Sequence, residues 1–309
     1  MKIAVIGSNM VDLVSYITRM PKQGETLEAP DFKMNCGGKG ANQAIAASRL
    51  GSDVLMLTRV GNDVFADNTI SNFEKNGIDT RYVLKTEAPS GVAPIFVDPM
   101  AHNSIIIVKG ANNFLSPNDI KMAAEDIKKC DLIILQLEIP IETVYEAVRF
   151  GNEHNIPVLL NPAPAQPDLL LEKVKTCEFI VPNETELSLL TGMPVETEDE
   201  IKNAAATLRD AGVKNVIVTM GRRGVLWLSD KGDEQYFAPI QVNAKDTTGA
   251  GDAFIGCFSS VYVKTKDIAH SIDMANHYAA DSVTRLGTQN SYLSRAEFLQ
   301  QYPDLCDKI

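Results

Sequence analysis

The chain has 309 residues, a net charge of −11 and 45% hydrophobic residues, which suits one large α/β domain or a large domain with an appendage. A chain this acidic, without a basic block, is a poor candidate for binding nucleic acid or an anionic membrane. It has no apolar run of membrane-spanning length, too short an N-terminal apolar run for a signal peptide, and five scattered cysteines without CxxC spacing, so we expect a cytoplasmic protein with reduced thiols.

Short apolar runs alternate with helical patterns along most of the chain. Buried strands that end in turns are predicted for "KIAVIGS", "DVLMLTRVG", "DLIILQLE", "PVLLNPAP", "EFIVPNE" and "NVIVTMG". Between the runs, "SPND" predicts a helix start with Ser116 as N-cap and Pro117 in the first turn. The C-terminal third is predicted to be helical over 250–263, 267–284 and 294–301. Apolar strands alternating with helices predict a mostly parallel sheet covered on both faces.

Two segments interrupt this alternation. Residues 13–36 contain strand-like pieces joined by Pro and Gly, and residues 91–108 predict a hairpin with its turn near Pro99–Asn103. We expect the two segments to form a small β sheet that projects from the main α/β domain, which then comprises residues 1–12, 37–90 and 109–309. Such a sheet could cover a site at the carboxyl ends of the strands, or join two copies of the chain.

Glycine loops follow several of the predicted strands, where open α/β sheets bind their ligands. "GGKGAN", residues 37–42, leads Lys39 and Asn42 into a helix, and it has more glycine than a turn requires, which favours a ligand-binding role. The spacing is not that of a P-loop, and no GxGxxG dinucleotide motif is present. "TMGRRG", residues 219–224, predicts either a nucleotide phosphate contact or an ordinary hairpin.

"NETE" places Asn183 and Glu186 three residues apart, on one face of a first helical turn. An amide and a carboxylate in this arrangement suit Mg²⁺ held through water beside phosphate oxygens. The same spacing is that of a helix capping box. The local pattern alone favours the capping box.

"DTTGAGDAF", residues 246–254, is the strongest signal for chemistry. If residues 249–251 open a helix, their N–H groups point outward and attract an anion. Asp252 then lies beside an anion site, which suits phosphoryl transfer with the carboxylate as base. Asp246 could stabilise the loop or face a cation.

The combination of "GGKGANQA", "NPAPA", "PNETE", "GVAPIFV" and "DTTGAGDAF" resembles the ribokinase (PfkB) family of carbohydrate kinases over nearly the whole chain. The resemblance implies a three-layer α/β/α domain with a mostly parallel sheet and a small β-sheet lid. It also implies ATP with Mg²⁺, activation by K⁺, and a homodimer formed through the lid.

The resemblance further implies roles for individual residues. Asp252 matches the catalytic base that deprotonates the primary hydroxyl of the sugar. The other matched positions are an anion hole of Gly249, Ala250 and Gly251; sugar contacts at Asp12, Gly38, Lys39, Asn42 and Glu138; nucleotide contacts at Asn183, Thr219, Gly221, Gly251 and Asn276; a Mg²⁺ link at Asn183 and Glu186; and a K⁺ site at Asp246, Thr248, Ser282, Arg285, Gly287 and Ser291.

The stretch after the first strand departs from the family pattern. Ribokinases read roughly "GSxNxD", whereas this chain reads "GSNMVD", so that Met10 occupies the asparagine position and Asn9 is shifted by one. The family asparagine faces sugar hydroxyls, and methionine offers no hydrogen bond. Ribose would bury its 2-hydroxyl unpaired, at about 1–3 kcal/mol. We therefore expect 5-phosphorylation of 2-deoxy-D-ribose with partial activity on D-ribose, although Met10 could also be a flexible core residue.

Other functions fit parts of the pattern. A ribokinase proper and a nucleoside kinase of the same family remain alternatives. A fructose-phosphate kinase would need a cationic site for the second phosphate, and the sequence offers none that we can locate. A non-catalytic sugar-binding regulator would not need Asp252, which is present.

Overall fold

The computed structural model describes residues 1–100 and 103–308, which form two β sheets and the helices that cover them. The strands are β1 Lys2–Ile6, β2 Met10–Tyr16, β3 Asp31–Gly37, β4 Asp53–Val60, β5 Asp79–Lys85, β6 Val92–Val97, β7 Asn103–Ile105, β8 Leu132–Leu135, β9 Val158–Leu160, β10 Phe179–Ile180, β11 Asn215–Thr219, β12 Val225–Ser229 and β13 Glu234–Phe237. The α helices are α1 Lys39–Arg49, α2 Val64–Lys75, α3 Pro117–Ile127, α4 Ile141–Glu153, α5 Leu171–Val174, α6 Glu184–Thr191, α7 Glu198–Asp210, α8 Ala250–Thr265, α9 Ile268–Ser282 and α10 Arg295–Gln301.

The large sheet has the strand order β13-β12-β11-β10-β9-β8-β1-β4-β5. The strands from β11 to β5 pair in parallel, and β12 and β13 form an antiparallel edge. Successive side chains point to opposite faces, so Ile3 and Val5 pack under α1, α8 and α9, whereas Ala4 and Ile6 pack under α3, α4 and α7. The predicted three-layer architecture with a mostly parallel sheet is confirmed.

Local signals set most helix boundaries. Ser116 and Asp119 form a capping box around Pro117 at the start of α3, as "SPND" predicts. The predicted C-terminal helices agree with α8, α9 and α10 to within two residues at each end. β5 and β13 were not predicted, because each is partly exposed at a sheet edge and lacks a continuous apolar run. None of the helices in residues 1–100 and 103–308 has both the length and the apolar content that crossing a membrane requires.

The small sheet has the strand order β3-β2-β6-β7 and contains both segments that interrupt the α/β pattern. Its central strand β2 begins at Met10, so the expected boundary after residue 12 falls inside this strand. The predicted turn between β6 and β7 includes residues 101 and 102, which lie outside the described residues. The outer strand β3 is largely exposed, with Phe32 and Met34 at 57% and 46% exposure.

Candidate active site

A cavity of about 1030 Å³ lies at the carboxyl ends of β9, β10 and β11. The first turn of α8 and the start of α6 face each other across it. Among the residues that the sequence predicts as functional, it is lined by Lys39, Asn183, Glu186, Thr219, Gly221, Gly249, Ala250, Gly251, Asp252 and Asn276. Ligands of open α/β sheets bind at this end of the strands, so the cavity is the candidate active site.

The glycine loop before α8 ends in a helix N-terminus, as the sequence predicts. Gly249 is the N-cap with a φ of +77°, in the left-handed region that favours glycine, and a side chain there would clash with Thr288. The amide of Ala250 donates to the Thr247 carbonyl at 3.3 Å. A Cβ on Gly251 would meet no protein atom within 4 Å, so the glycine leaves room for a ligand at the positive end of the helix.

Asp252 is buried in the first turn of α8, with 6% of its surface exposed. Its Oδ2 accepts a hydrogen bond from Nδ2 of Asn42 and its Oδ1 accepts one from Nε2 of Gln43, each at 2.9 Å. A carboxylate fixed beside a helix N-terminus can take a proton from a hydroxyl while backbone amides stabilise a transferring phosphoryl group. The amide nitrogen of Asn42, a predicted sugar contact, is thus bonded to Asp252. The sequence did not predict a functional role for Gln43. Its place in the motif "GGKGANQA" is the one feature of the sequence that could have indicated such a role.

The charges of three carboxyl groups, those of Asp12, Glu138 and Asp252, interact with one another, and those of Glu138 and Asp252 interact with Lys39. Burial raises the pKa of Asp12 to about 7, and the charges of Glu138 and Asp252 add to this effect. Burial disfavours the charged form of Lys39, but the surrounding carboxylates, led by Asp252, outweigh it and raise the pKa of the ammonium. Acceptors gathered around one cation suit a ligand with several hydroxyl groups.

The glycines of "GGKGAN" pack against the loop that follows β1. Gly38 has a φ of +89°, and its Cβ would lie 2.7 Å from the Cα of Asn9; a Cβ on Gly40 would lie 2.6 Å from the Ser8 nitrogen. A side chain on Gly37 would clash with the carboxylate of Asp12. Close packing against the backbone of residues 7–10 therefore requires Gly38 and Gly40. This requirement was not part of the sequence interpretation, and the expected sugar contact at Gly38 stays a prediction.

Met10 lies in β2 and is 2% exposed, with its Sδ 3.7 Å from the side-chain amide of Asn112. Met10 and Asp12 are two residues apart on this strand and therefore share a face. Nδ2 of Asn9 donates to Thr58 Oγ1 at 2.8 Å. Asn9 is thus turned into the core and does not replace an asparagine at position 10.

Asn183 and Glu186 form the capping box that the local pattern favours, at the start of α6. Both residues also line the cavity. Burial raises the pKa of Glu186, against the lowering effects of the Asn183 amide and the Lys39 charge. Each carboxylate oxygen of Glu186 already accepts a hydrogen bond from Asn183, so the pair fits Mg²⁺ held through water better than direct ligation. Among residues 1–100 and 103–305, no cluster of three His, Cys, Asp or Glu is placed to hold a metal ion.

The wall of the cavity beyond α8 comes from three segments. Thr219 and Gly221 lie where β11 turns into β12, so "TMGRRG" is a hairpin that also lines the cavity. Asn276 in α9 lines it too and donates to the Ala238 carbonyl at 2.8 Å. Residues 239–244 complete this wall. They had no predicted role, because they belong to no helix, strand or motif that the sequence marks.

Asp246 joins two loops beside the first turn of α8. Its Oδ1 accepts from the Thr248 amide and its Oδ2 from the Gly287 amide, each at 2.9 Å. The predicted K⁺ residues lie in these loops and at the end of α9: Asp246, Thr248, Ser282, Arg285, Gly287 and Ser291. Backbone carbonyls of adjoining loops fit a monovalent cation, and the carbonyl of Ser291 already accepts from Nε of Arg285 at 3.0 Å.

Known proteins share this fold and these motifs. The family model of pfkB family carbohydrate kinases matches residues 1–295. The chain therefore belongs to the pfkB family of carbohydrate kinases and is a phosphotransferase with an alcohol group as acceptor. It is 59% identical over 299 residues to the deoxyribokinase of Salmonella typhi, and this alignment covers 96% of this chain and 97% of that protein. It is 38% identical over 295 residues to the ribokinase of Staphylococcus aureus, with 94% and 96% covered.

Solved structures show the same ribokinase-like α/β fold. The ribokinase of Thermotoga maritima superposes with a TM-score of 0.89 at 35% identity, over 97% of this chain and 99% of that chain. The Arabidopsis thaliana ribokinase complexed with ribose and ATP superposes with a TM-score of 0.89 at 30% identity, over 96% and 97%. The predicted fold class and family are thereby confirmed.

Proposed function

We propose that the chain transfers a phosphoryl group from ATP to the 5-hydroxyl of a pentose, with 2-deoxy-D-ribose preferred over D-ribose. One observation carries the proposal: Asp252 is a buried carboxylate in the first turn of α8 that lines the cavity together with Lys39 and interacts with the charges of Lys39 and Asp12. The similarity to a deoxyribokinase and to ribokinases supports a pentose as acceptor. An intact base with two hydrogen-bond donors disfavours a non-catalytic regulator.

In the proposed reaction the sugar lies in the pocket formed by Asp12, Lys39 and Glu138. The carboxyl groups accept hydrogen bonds from the sugar hydroxyls, and the Lys39 ammonium donates hydrogen bonds to the hydroxyl oxygens. Asp252 takes the proton of the 5-hydroxyl while the hydroxyl oxygen bonds to the γ-phosphorus and the bond from that phosphorus to ADP breaks. The amides of residues 249–251 stabilise the charge on the transferring phosphoryl group.

The nucleotide lies in the cavity, against Thr219, Gly221 and Asn276. The Mg²⁺ that accompanies ATP neutralises phosphate charge when it is bound, and Asn183 and Glu186 would hold it through water. The apolar side chains in residues 239–244 suit one face of an adenine ring. These assignments follow the positions of the residues around the first turn of α8.

We assign the sugar preference to Met10. Met10→Asn would add a hydrogen-bonding amide on the strand face that carries Asp12. We expect the ratio of kcat/KM for D-ribose to that for 2-deoxy-D-ribose to rise about 5- to 150-fold, since pairing a buried hydroxyl recovers about 1–3 kcal/mol. Steady-state assays of both sugars with ATP measure the ratio.

Met10→Leu is the matched control, because leucine has a similar volume and no hydrogen bond to offer. Its sugar ratio should stay that of the wild type. A wild type that prefers D-ribose would instead identify a ribokinase proper. If Met10→Asn leaves the ratio of kcat/KM for the two sugars unchanged, Met10 does not set the sugar preference. A panel of pentoses and nucleosides with ATP tests the substrate class itself.

We further propose that K⁺ bound beside Asp246 holds the loop before α8 in its active shape. Replacing K⁺ with an equal concentration of tetramethylammonium should lower kcat about fivefold or more, the usual size of a coupling between two sites. Asp246→Asn should lower the dependence on K⁺, because Oδ1 and Oδ2 join the two loops. An equal rate in both salts would show that the loops need no K⁺.

We propose that the small sheet, with residues 13–36 and 91–108, is a lid that closes over the sugar and excludes water from the transfer. Its exposed apolar side chains also support a homodimer formed through this sheet: Phe32, Met34, Ile105, Ile106, Ile107 and Val108. A cytoplasmic location is supported by the thiols of Cys36, Cys130, Cys177 and Cys257, which are free.

A further inference from the structure

A chain of buried amide side chains converges on Asp252 from both sides. On one side, Gln43 donates to Oδ1 of Asp252, and its own Oε1 accepts from Nε2 of Gln136 at 2.6 Å. On the other side, Asn42 donates to Oδ2, and its Oδ1 accepts from Nε2 of Gln289 at 2.9 Å. Gln43 and Gln136 have no exposed surface. The proposed reaction assigns no role to Gln43, Gln136 or Gln289.

The direction of this chain is fixed by the carboxylate. An ionised carboxylate only accepts hydrogen bonds, so the NH₂ group of Gln43 must face Asp252. Its oxygen then faces Gln136, which must turn its own NH₂ group toward Gln43. The second N–H of Gln43 has an acceptor in Asn161 Oδ1 at 3.2 Å, and Asn161 donates to the Val181 carbonyl at 3.0 Å. Every rotation of the Gln43 amide is thereby opposed by a partner.

The surrounding backbone leaves room for this arrangement. Gln136 follows β8 and reaches across the end of β1, where a side chain on Gly7 would clash with its Oε1. Gly40 in α1 faces the same loop. The absence of a side chain at Gly7 leaves room for Gln136 beside Gln43, and the absence of one at Gly40 lets the Gly7–Ser8 backbone pack against α1.

We propose that Gln43, oriented by Gln136, is a positioning residue that fixes the carboxylate plane of Asp252 for proton transfer from the 5-hydroxyl. Asn42 occupies one oxygen and Gln43 the other, so the lone pairs left for the substrate keep one direction. Donors arranged in a chain also polarise one another and strengthen the last bond of the chain. The inference depends on the proposed function, since it concerns the base of that reaction.

Gln43→Met tests the proposal, because methionine has nearly the same length and cannot donate. We expect kcat with 2-deoxy-D-ribose and Mg·ATP to fall about 30-fold, the size of a buried hydrogen bond to a charged group. The KM for the sugar and its dissociation constant from calorimetry should stay near wild type. Gln136→Met acts one bond further away and should give a smaller loss of kcat, about fivefold, with the same unchanged KM.

A double-mutant cycle separates positioning from general damage. In an Asp252→Asn background, Gln43→Met should cause no further loss of kcat, because its effect passes through the carboxylate. Asn215→Leu is the matched control: Asn215 is a buried amide at the opposite end of the sheet, bonded to Trp227 and to the Glu178 carbonyl. It should lower thermal stability as Gln43→Met does and leave kcat unchanged.

A kcat within twofold of wild type in both Gln43→Met and Gln136→Met would overturn the proposal, as would a loss that appears wholly in sugar affinity. If Gln43→Met fails to fold, the kcat of Gln136→Met relative to that of the wild type tests the positioning role. A wild type that phosphorylates no pentose would refute the proposed function instead. An active wild type with unaffected variants refutes only the positioning role.

Discussion

Asp252→Asn should lower kcat about 10³-fold while leaving the dissociation constant of the sugar nearly unchanged. An asparagine amide does not accept a proton near neutral pH, so the 5-hydroxyl would have to lose its proton without a base. The substitution keeps the size of the side chain and one of its two acceptor oxygens, and it leaves Asp12, Lys39 and Glu138 unchanged. Release of ADP measures kcat, and calorimetry with 2-deoxy-D-ribose measures binding.

Asp119→Asn is a suitable control for the loss of a buried carboxylate. Asp119 is 4% exposed, against 6% for Asp252, and its charge is paired with Arg59 at 2.7 Å, away from the cavity. Its replacement should reduce the free energy of unfolding without changing kcat, since it breaks a buried ion pair and a helix cap. Turnover of Asp252→Asn close to that of the wild type would contradict the assignment of the base.

Asp12→Asn should make the ligand-free protein more stable at pH 8 and abolish pentose phosphorylation. The folded-state pKa of Asp12 is about 7, raised from 3.8 by burial and by the charges of Glu138 and Asp252. A raised folded-state pKa gives stability that is fully present below pH 3.8 and is lost as the pH rises through 7. Asparagine removes that loss, which amounts to about 4 kcal/mol at most.

Urea unfolding of the wild type and Asp12→Asn between pH 4 and pH 8 measures this effect. The free energies of unfolding should agree near pH 4 and diverge toward pH 8. Asp63→Asn should instead be less stable than the wild type by a nearly constant amount over this pH range, because burial of Asp63 is outweighed by hydrogen bonds from Ser90, Ala66 and Phe65 that lower its pKa. The stability given by a lowered pKa is present above pH 3.8 and is lost only at lower pH. Equal slopes for wild type and Asp12→Asn would show that Asp12 stays ionised throughout.

Several parts of the site follow from local sequence. Continuously apolar runs identify the central strands, because strands buried on both faces have no polar side to show. Cap residues identify helix starts, and "SPND" and "NETE" form the capping boxes that their spacing indicates. The glycines before Asp252 predict an anion site at the start of α8, where no side chain caps the helix and a Cβ on Gly251 would meet no protein atom within 4 Å.

Other parts required the structure. Residues 239–244 line the cavity without any motif, and partly exposed edge strands such as β13 carry a weak pattern. Gly38 and Gly40 of "GGKGAN" are required by close packing against the loop after β1, which the sequence interpretation did not anticipate. Neither the lining role of residues 239–244 nor the packing of these glycines can be read from the local sequence, because each depends on which distant segment of the chain lies next to it.

The sequence by itself was enough to predict the reacting group: a carboxylate, Asp252, in the first turn of a helix that follows a glycine loop, in a chain with the motifs of a carbohydrate kinase family. Only the tertiary structure decided what holds that carboxylate. Asn42 and Gln43 lie 210 and 209 residues away along the chain, and they reach it because α1 packs against α8 over the same face of the sheet. Hydrogen bonds act over about 3 Å, so partners so distant in sequence are set by the order of the strands and the packing of the helices.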